Sequence, residues 1–439
     1  VKKLIKFIKQ LKYLIILYIS KKNKNYDTVL KMYKKIISLD LAPTYKKVNY
    51  NLSIFNIAKE IFKKKNIKMN DIKIEFSQPK VLILNSEIYD TGGHTELALR
   101  YIEAFKDEYL IDFYLTTIGK SSNESAPVKS KFIKKIVNNY YESPQNLGFD
   151  EKVIELYHYI INQNITTIYV NMHMFDTVAC AVLGVLKKYT NINIIFWNHG
   201  DHWYSLGTDF ADIILTRIQN CQAITPYLKD KKNIVQPPFL ESSNEINKYS
   251  EIDINKIKEV LNIPVGAFIT MTGCGLGKLN DEYFALIKNI LDKNENVYHL
   301  FICTMKDKKK REIKDKIGKN KERLIIINFV PNFDFYIQLS DLYVDSFPQG
   351  SALTLVDCIK HAKPVVIKVN KTEPIKSFEE YLYKDYEFAC ETSKLMEEKI
   401  YELINDKEKY KQISNKVRAF YCERYNIKKV KEIYRELFK

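Results

Sequence analysis

Histidines placed beside glycines, asparagines and acids are the residues here best suited to chemistry. In LILNSEIYDTGGHTELALRYI, residues 82–102, an apolar run passes through Gly92 and Gly93 to His94 and on into a helix-like pattern. Paired glycines let a ligand approach backbone N–H groups. An imidazole titrates near neutrality and can take or hold a proton on that ligand. The same stretch could equally be a plain turn followed by a polar residue. In FWNHGDHWYSLGTDFADIILTR, residues 196–217, His199, Asp201, His202 and Asp209 sit near the end of another apolar run. The spacing is not HExxH and no ligand pattern singles out a metal, which leaves structural, substrate-orienting or directly chemical roles. His173, in YVNMHMFD, is a further strand-end histidine able to line a binding site, whereas His158 lies inside a helical pattern and reads as packing or surface.

A second set of residues is suited to anions. TGCGLGKLNDEYFALI places Gly273, Gly275 and Gly277 off the GxGxxG interval, and Leu279 after Lys278 breaks the P-loop pattern. This spacing excludes the dinucleotide-binding and P-loop readings. It leaves a loop after a strand, with Lys278 just before a helix, suited to a diphosphate. DLYVDSFPQGSALTLVDCIKHAKPVV, residues 341–366, reads as a strand ending at Asp345, a loop through Gly350, and a helix capped by Ser351. The start of that helix, at Ser351 and Thr354, offers unpaired N–H groups and the positive end of the helix dipole. Asp357 in its body could accept hydrogen bonds from ribose hydroxyls.

These residues need a scaffold. Apolar strands are expected at 81–85, 111–117, 166–171, 192–198 and 212–216, alternating with helical patterns at 96–105, 151–161 and 176–188. The rhythm starts again with strands at 267–273, 298–304, 324–330, 341–347 and 364–369, and helices at 281–291, 333–339 and 353–360. Short buried strands joined by crossover helices predict parallel α/β sheets. KKNIVQPPFL, residues 231–240, is the expected hinge, since each proline restricts the residue before it. Three regions follow: helical residues 1–76, a Rossmann-like domain at 77–240, and a second Rossmann-like domain with trailing helices at 241–439. Two such domains imply a cleft at the carboxyl ends of their strands.

The 341–366 element resembles the GT-B fold glycosyltransferases: the carboxylate Asp357, six residues and then Pro364 match their nucleotide-binding helix and following strand. FPQG-S-x-L-T-x-x-D is most similar to the O-GlcNAc-transferase-like and bacterial cytoplasmic N-glycosyltransferase-like group. The Gly92-Gly93-His94 turn and the 196–217 stretch resemble loops of the same superfamily, and the likeness covers about residues 78–430. It implies a sugar moved from a nucleotide sugar, a UDP-sugar before others, to a bacterial surface glycan or lipid-linked glycan, with no cofactor or metal required. Lys278, Gly350, Ser351, Thr354 and Asp357 would hold the donor, Gly92 and Gly93 would admit it, and His173, Asp201 and His202 would line the substrate. His94 or His199 would be the base. Retaining members usually carry two glutamates eight positions apart, where this chain has Gln349 and Asp357, which favours inversion. The alternatives are a protein O- or N-glycosyltransferase, a nucleotide-sugar epimerase, and a non-catalytic polyanion-binding scaffold.

Composition sets the outer bounds. The 439 residues suit two or three domains, and seven scattered cysteines without CxxC spacing indicate a reducing compartment. A net charge of +16 favours anionic partners, but lysine far outnumbers arginine and no zinc-finger or RRM-like pattern is present, which argues against nucleic acid. The N-terminal VKKLIKFIKQLKYLIILYISKKNK is too short in its apolar run to span a bilayer. It fits either an anionic membrane face or docking on its own protein. The expected location is cytoplasmic, with peripheral contact on the inner membrane face.

Overall fold

The computed structural model describes residues 2–39, 50–69, 72–74, 79–90, 93–118, 127–199, 205–216, 234–235, 237–240, 249–328, 330, 332–369 and 381–437. The chain divides into two units, residues 1–242 with 428–439, and residues 243–427.

The first unit opens with helices α1 (Lys2–Lys22), α2 (Tyr26–Leu39) and α3 (Tyr50–Lys64). Strands β1 (Lys80–Asn85), β2 (Leu110–Leu115), β3 (Asn139–Glu142), β4 (Thr167–Asn171), β5 (Asn193–Trp197), β6 (Ile213–Leu215) and β7 (Ile234–Val235) follow. They form one parallel sheet in the order β3-β2-β1-β4-β5-β6-β7. The crossovers are α4 (Gly93–Phe105), α5 (Val128–Ile136), α6 (Phe149–Asn162) and α7 (Thr177–Tyr189). β1 and β4 are buried along nearly their whole length, as strands covered on both faces must be.

Helices α2 and α3 are built into this unit's core. Val29, Leu30, Ile36, Ile54, Ala58 and Phe62 are fully enclosed with residues of α6 and α7. Gly184 on α7 allows the close approach: a Cβ there would lie 3.0 Å from Phe55 Cδ2 and from Phe210 Cζ. Asn51 of α3 accepts from the Gly207 amide at 2.9 Å and donates to Asp209 at 2.8 Å. Asp209 therefore serves packing of the unit. At the far end, α15 (Ile427–Leu437) returns to the first unit, where Val430 and Tyr434 are buried and Arg435 grips Glu108 at 2.7 and 2.8 Å. Residues 428–439 thus leave the donor-side region to which the sequence reading assigned them. Their apolar stripe is the reason: it covers Phe105 of α4.

The second unit repeats the plan. After α8 (Glu251–Val260) come β8 (Phe268–Gly273), α9 (Asp281–Lys293), β9 (Val297–Ile302), α10 (Asp307–Ile317), β10 (Leu324–Ile327), α11 (Phe333–Leu339), β11 (Leu342–Val344), α12 (Ala352–Lys360), β12 (Val365–Lys368) and β13 (Ala389–Cys390). Helices α13 (Ser393–Asn405) and α14 (Lys407–Arg424) close the unit. The sheet order is β10-β9-β8-β11-β12-β13, again parallel. In both sheets the order reverses beside the first strand, between β1 and β4 and between β8 and β11. At such a switch point adjacent crossovers leave on opposite faces and open a crevice for ligand.

The edge strands β3, β7 and β13 lie outside the strands read from sequence. Each is short, and β3 is half-exposed and polar, so it lacks the apolar run that marks a central strand.

Candidate active site

At the β1/β4 switch point the strand ends carry polar side chains inward. Asn85 and Asn171 are paired in register, and the Asn171 amide donates to Asn85 Oδ1 at 2.9 Å and to the His94 carbonyl at 3.0 Å. Its Oδ1 meets His199 Nε2 beyond the end of β5. His94, in the first turn of α4, stacks on His173 with centroids 4.9 Å apart and lies 4.3 Å from His199. Three histidines separated by over a hundred residues therefore form one cluster.

The environments of the three rings differ. Both ring nitrogens of His94 are buried, and neither meets hydrogen-bond geometry with a described residue. Burial, then the neighbouring His173, pushes its pKa down to about 3 against a weaker opposing pull from the Met172 carbonyl, so the ring is neutral. His173 is also held below its usual value, chiefly by burial, with Glu87 and Asp176 opposing. Its Nε2 lies 2.9 Å from the Tyr89 hydroxyl, which in turn reaches the Glu87 carboxylate. A carboxylate only accepts, so the phenol proton points to Glu87 and the His173 Nε2–H donates to Tyr89.

Beneath the rings lies a polar layer. Asp176 caps α7 through the Ala179 amide at 2.9 Å and accepts from Ser86 at 2.7 Å and Thr116 at 2.6 Å. Ser86 Oγ in turn accepts from the His173 amide at 2.9 Å, fixing the backbone under that ring. Lys152 is buried and donates to the Thr116 carbonyl at 2.9 Å, and burial lowers its pKa to about 8.

At the β8/β11 switch point the second unit builds a different site. Asp345, fully enclosed after β11, accepts from the Ser346 amide at 2.9 Å and the Ser351 amide at 3.0 Å. Burial raises its carboxyl to about 6, against the pull of Ser351, Lys278 and the loop amides. Ser351 occupies the N-cap position of α12, but its hydroxyl donates to Asp345 and makes no side-chain cap. The expected Ser351 cap is thus corrected: a buried carboxylate outcompetes the helix amides for that hydroxyl. Lys278 Nζ donates to the Gly350 carbonyl at 3.0 Å, tying the loop after β8 to the Phe347–Gly350 loop. Gly273 beneath them makes room for a ring: a Cβ would fall 2.5 Å from Phe333 Cζ and 3.6 Å from the Thr354 methyl. Asp357 stands half-buried further along α12.

The structure thus gathers His94, His173 and His199 in one unit, and Lys278, Gly350, Ser351 and Thr354 in the other. Gly93 opens α4, and its exposed position suits close approach. Gly92, Asp201 and His202 lie outside the described residues, as do residues 231–233 and 236 of the proposed hinge. Asn171, Glu87, Tyr89 and Asp176 had not been singled out from sequence. For Asn171 and Glu87 the one signal was polarity at the end of an apolar strand, in YVN and LNSE. Among the described residues no group of three or more His, Cys, Asp or Glu is placed to hold a metal ion.

No protein-family model matches this sequence, and no curated protein does. Solved structures do match. HepE of Anabaena in complex with UDP and glucose has a TM-score of 0.63 at 14% identity, over 82% of this chain and 98% of that one. A glycosyltransferase of Rickettsia africae gives 0.62 at 14% identity, over 83% and 100%. A mutant O-GlcNAc transferase of Thermobaculum terrenum gives 0.58 at 10% identity, over 93% and 77%. With two parallel sheets of this strand order and an N-terminal helical region, these likenesses establish that the chain has the GT-B glycosyltransferase fold.

Proposed function

We propose that this protein is a glycosyltransferase that moves a sugar from a UDP-sugar to a bacterial surface glycan or its lipid-linked precursor, without a metal ion and with inversion. The observation that carries the reading is the chemical contrast between the two switch points, one cationic and amide-rich, the other a histidine cluster. In this reading the second unit binds the donor. The amides at the start of α12 and the Lys278 ammonium stabilise the diphosphate as it leaves, the role a divalent cation would otherwise fill. Asp357 takes the ribose hydroxyls. The first unit supplies the proton acceptor: the acceptor hydroxyl attacks the anomeric carbon, its proton passes to His199, and the bonding electrons depart on the diphosphate oxygen. His94, whose pKa burial pushes down to about 3, is the weaker base and serves as a neutral wall for the sugar or acceptor. The likeness to HepE holding UDP and glucose supports the choice of nucleotide.

The test is calorimetric titration with UDP, UDP-glucose and UDP-N-acetylglucosamine, with GDP as the control. Saturable binding of a uridine nucleotide, weakened about 10- to 100-fold in Lys278→Ala, is expected for a charge-assisted phosphate contact. Absence of nucleotide binding, or an unchanged affinity in Lys278→Ala, contradicts the assignment.

A further inference from the structure

Helix α1 is apolar on the side that faces away from its own protein. Tyr13, Ile16 and Leu17 pack inward on the core around α2, and Lys21 reaches back to the Tyr33 hydroxyl at 2.7 Å. The opposite face carries Phe7, Ile8, Leu11, Ile15, Tyr18 and Ile19, each 50 to 62% exposed. At about 100° per residue these six fall on one continuous stripe. A helix docked only on its own protein would show the reverse pattern, with polar residues outward. Lys9, Lys12 and Lys22 are exposed as well, and α1 contains no acidic residue. Among the described residues no helix is long and apolar enough to cross a membrane.

We infer that the outward face of α1 is a docking surface for an anionic lipid bilayer, with the aromatic and aliphatic stripe in the headgroup–acyl boundary and the lysines on lipid phosphates. Charge decides between a bilayer and a second copy of the chain. Pairing two α1 faces would bring lysines of like sign together with no acid on either helix to offset them. An anionic bilayer supplies both the apolar layer and the missing negative charge. The inference is independent of the transferase reading, since it concerns binding and no chemistry.

The test uses the full chain and vesicles of phosphatidylethanolamine with phosphatidylglycerol, against phosphatidylcholine alone. Co-sedimentation with the anionic vesicles is expected, weakening as salt rises. Leu11→Asp with Ile15→Asp should reduce it at least about tenfold through lost insertion, and Lys9→Glu with Lys12→Glu about tenfold or more through lost attraction. All four side chains are exposed, and an unchanged melting temperature shows that the variants fold. A Phe7→Trp variant adds a second readout: its extra emission should shift to the blue and be quenched by brominated lipid. Three results overturn the inference: no binding to anionic vesicles, equal binding to neutral ones, or binding unaffected by both pairs. Self-association abolished by Leu11→Asp with Ile15→Asp, without vesicle binding, would assign the face to a second copy.

Discussion

Asn171 fixes the tautomer of His199. Both hydrogens of its side-chain amide are committed, to Asn85 Oδ1 at 2.9 Å and to the His94 carbonyl at 3.0 Å. A backbone carbonyl can only accept, so the amide nitrogen faces it and Oδ1 faces the imidazole. In the neutral ring Nε2 therefore carries the proton. Asn171→Leu should lower kcat about 10- to 100-fold, as loss of an orienting partner does elsewhere, with little change in KM for the donor. The nitrogen-15 spectrum of labelled histidine should show an Nε2–H tautomer for His199 in the parent and a mixture in the variant. An Nδ1–H tautomer in the parent protein contradicts this whatever the activity.

His94 links stability to pH. Its pKa falls from 6.5 to about 3 on folding, mainly through burial. Above pH 6.5 the ring is neutral in both states and adds no pH dependence. As pH falls from 6.5 towards 3, the unfolded chain takes a proton that the folded one refuses. Stability then drops by up to about 1.4 kcal/mol per pH unit from this group. Urea midpoints for His94→Gln should fall less steeply than those of the parent over this window. Parallel curves would show that the ring is protonated in the fold.

Asp345 organises the loop between β11 and α12. Its carboxylate holds the Ser346 and Ser351 amides and the Ser351 hydroxyl, so removing it frees three groups at once. Asp345→Ala should weaken nucleotide binding about 10- to 30-fold, the loss of one or two net hydrogen bonds' worth of preorganisation. Calorimetry checks the affinity. Affinity equal to the parent's would mean that the loop holds its shape without the carboxylate.

Gly273 is dictated by the Phe333 ring. Gly273→Ala forces a contact of 2.5 Å with Phe333 Cζ unless the ring moves, and should cost about 1–3 kcal/mol as an overpacking change. Phe333→Leu shortens the side chain that is in the way. The double variant should therefore lose less than the two single losses summed, which chemical denaturation of all four proteins measures. Additive losses would place the strain elsewhere.

Much of the frame was legible before any coordinates. Runs such as VLILN and TTIYVN mark central strands because strands covered on both faces must be apolar throughout. Several strands end earlier than the apolar run suggests: β11 stops at Val344, and the residues from Asp345 turn into the loop before α12. His94, His173, His199, Lys278 and Ser351 stood out through residue type and place at strand ends. Local pattern could not show that the Ser351 hydroxyl bonds to Asp345, because the competition between a helix amide and a buried carboxylate depends on what is buried.

The sequence by itself determined the alternation of strand and helix, the two-fold repetition of that plan, and the reactive residue types at the ends of its strands. These depend on periodicity and local backbone preference, which neighbouring residues settle among themselves. Only the tertiary structure decided that His94, Asn171 and His199 form one hydrogen-bonded group with His173 stacked on His94, that burial holds the His94 pKa down, and that α1 turns its apolar stripe outward. Each of these depends on which distant segments pack together and so exclude water, and no stretch of sequence carries that information alone.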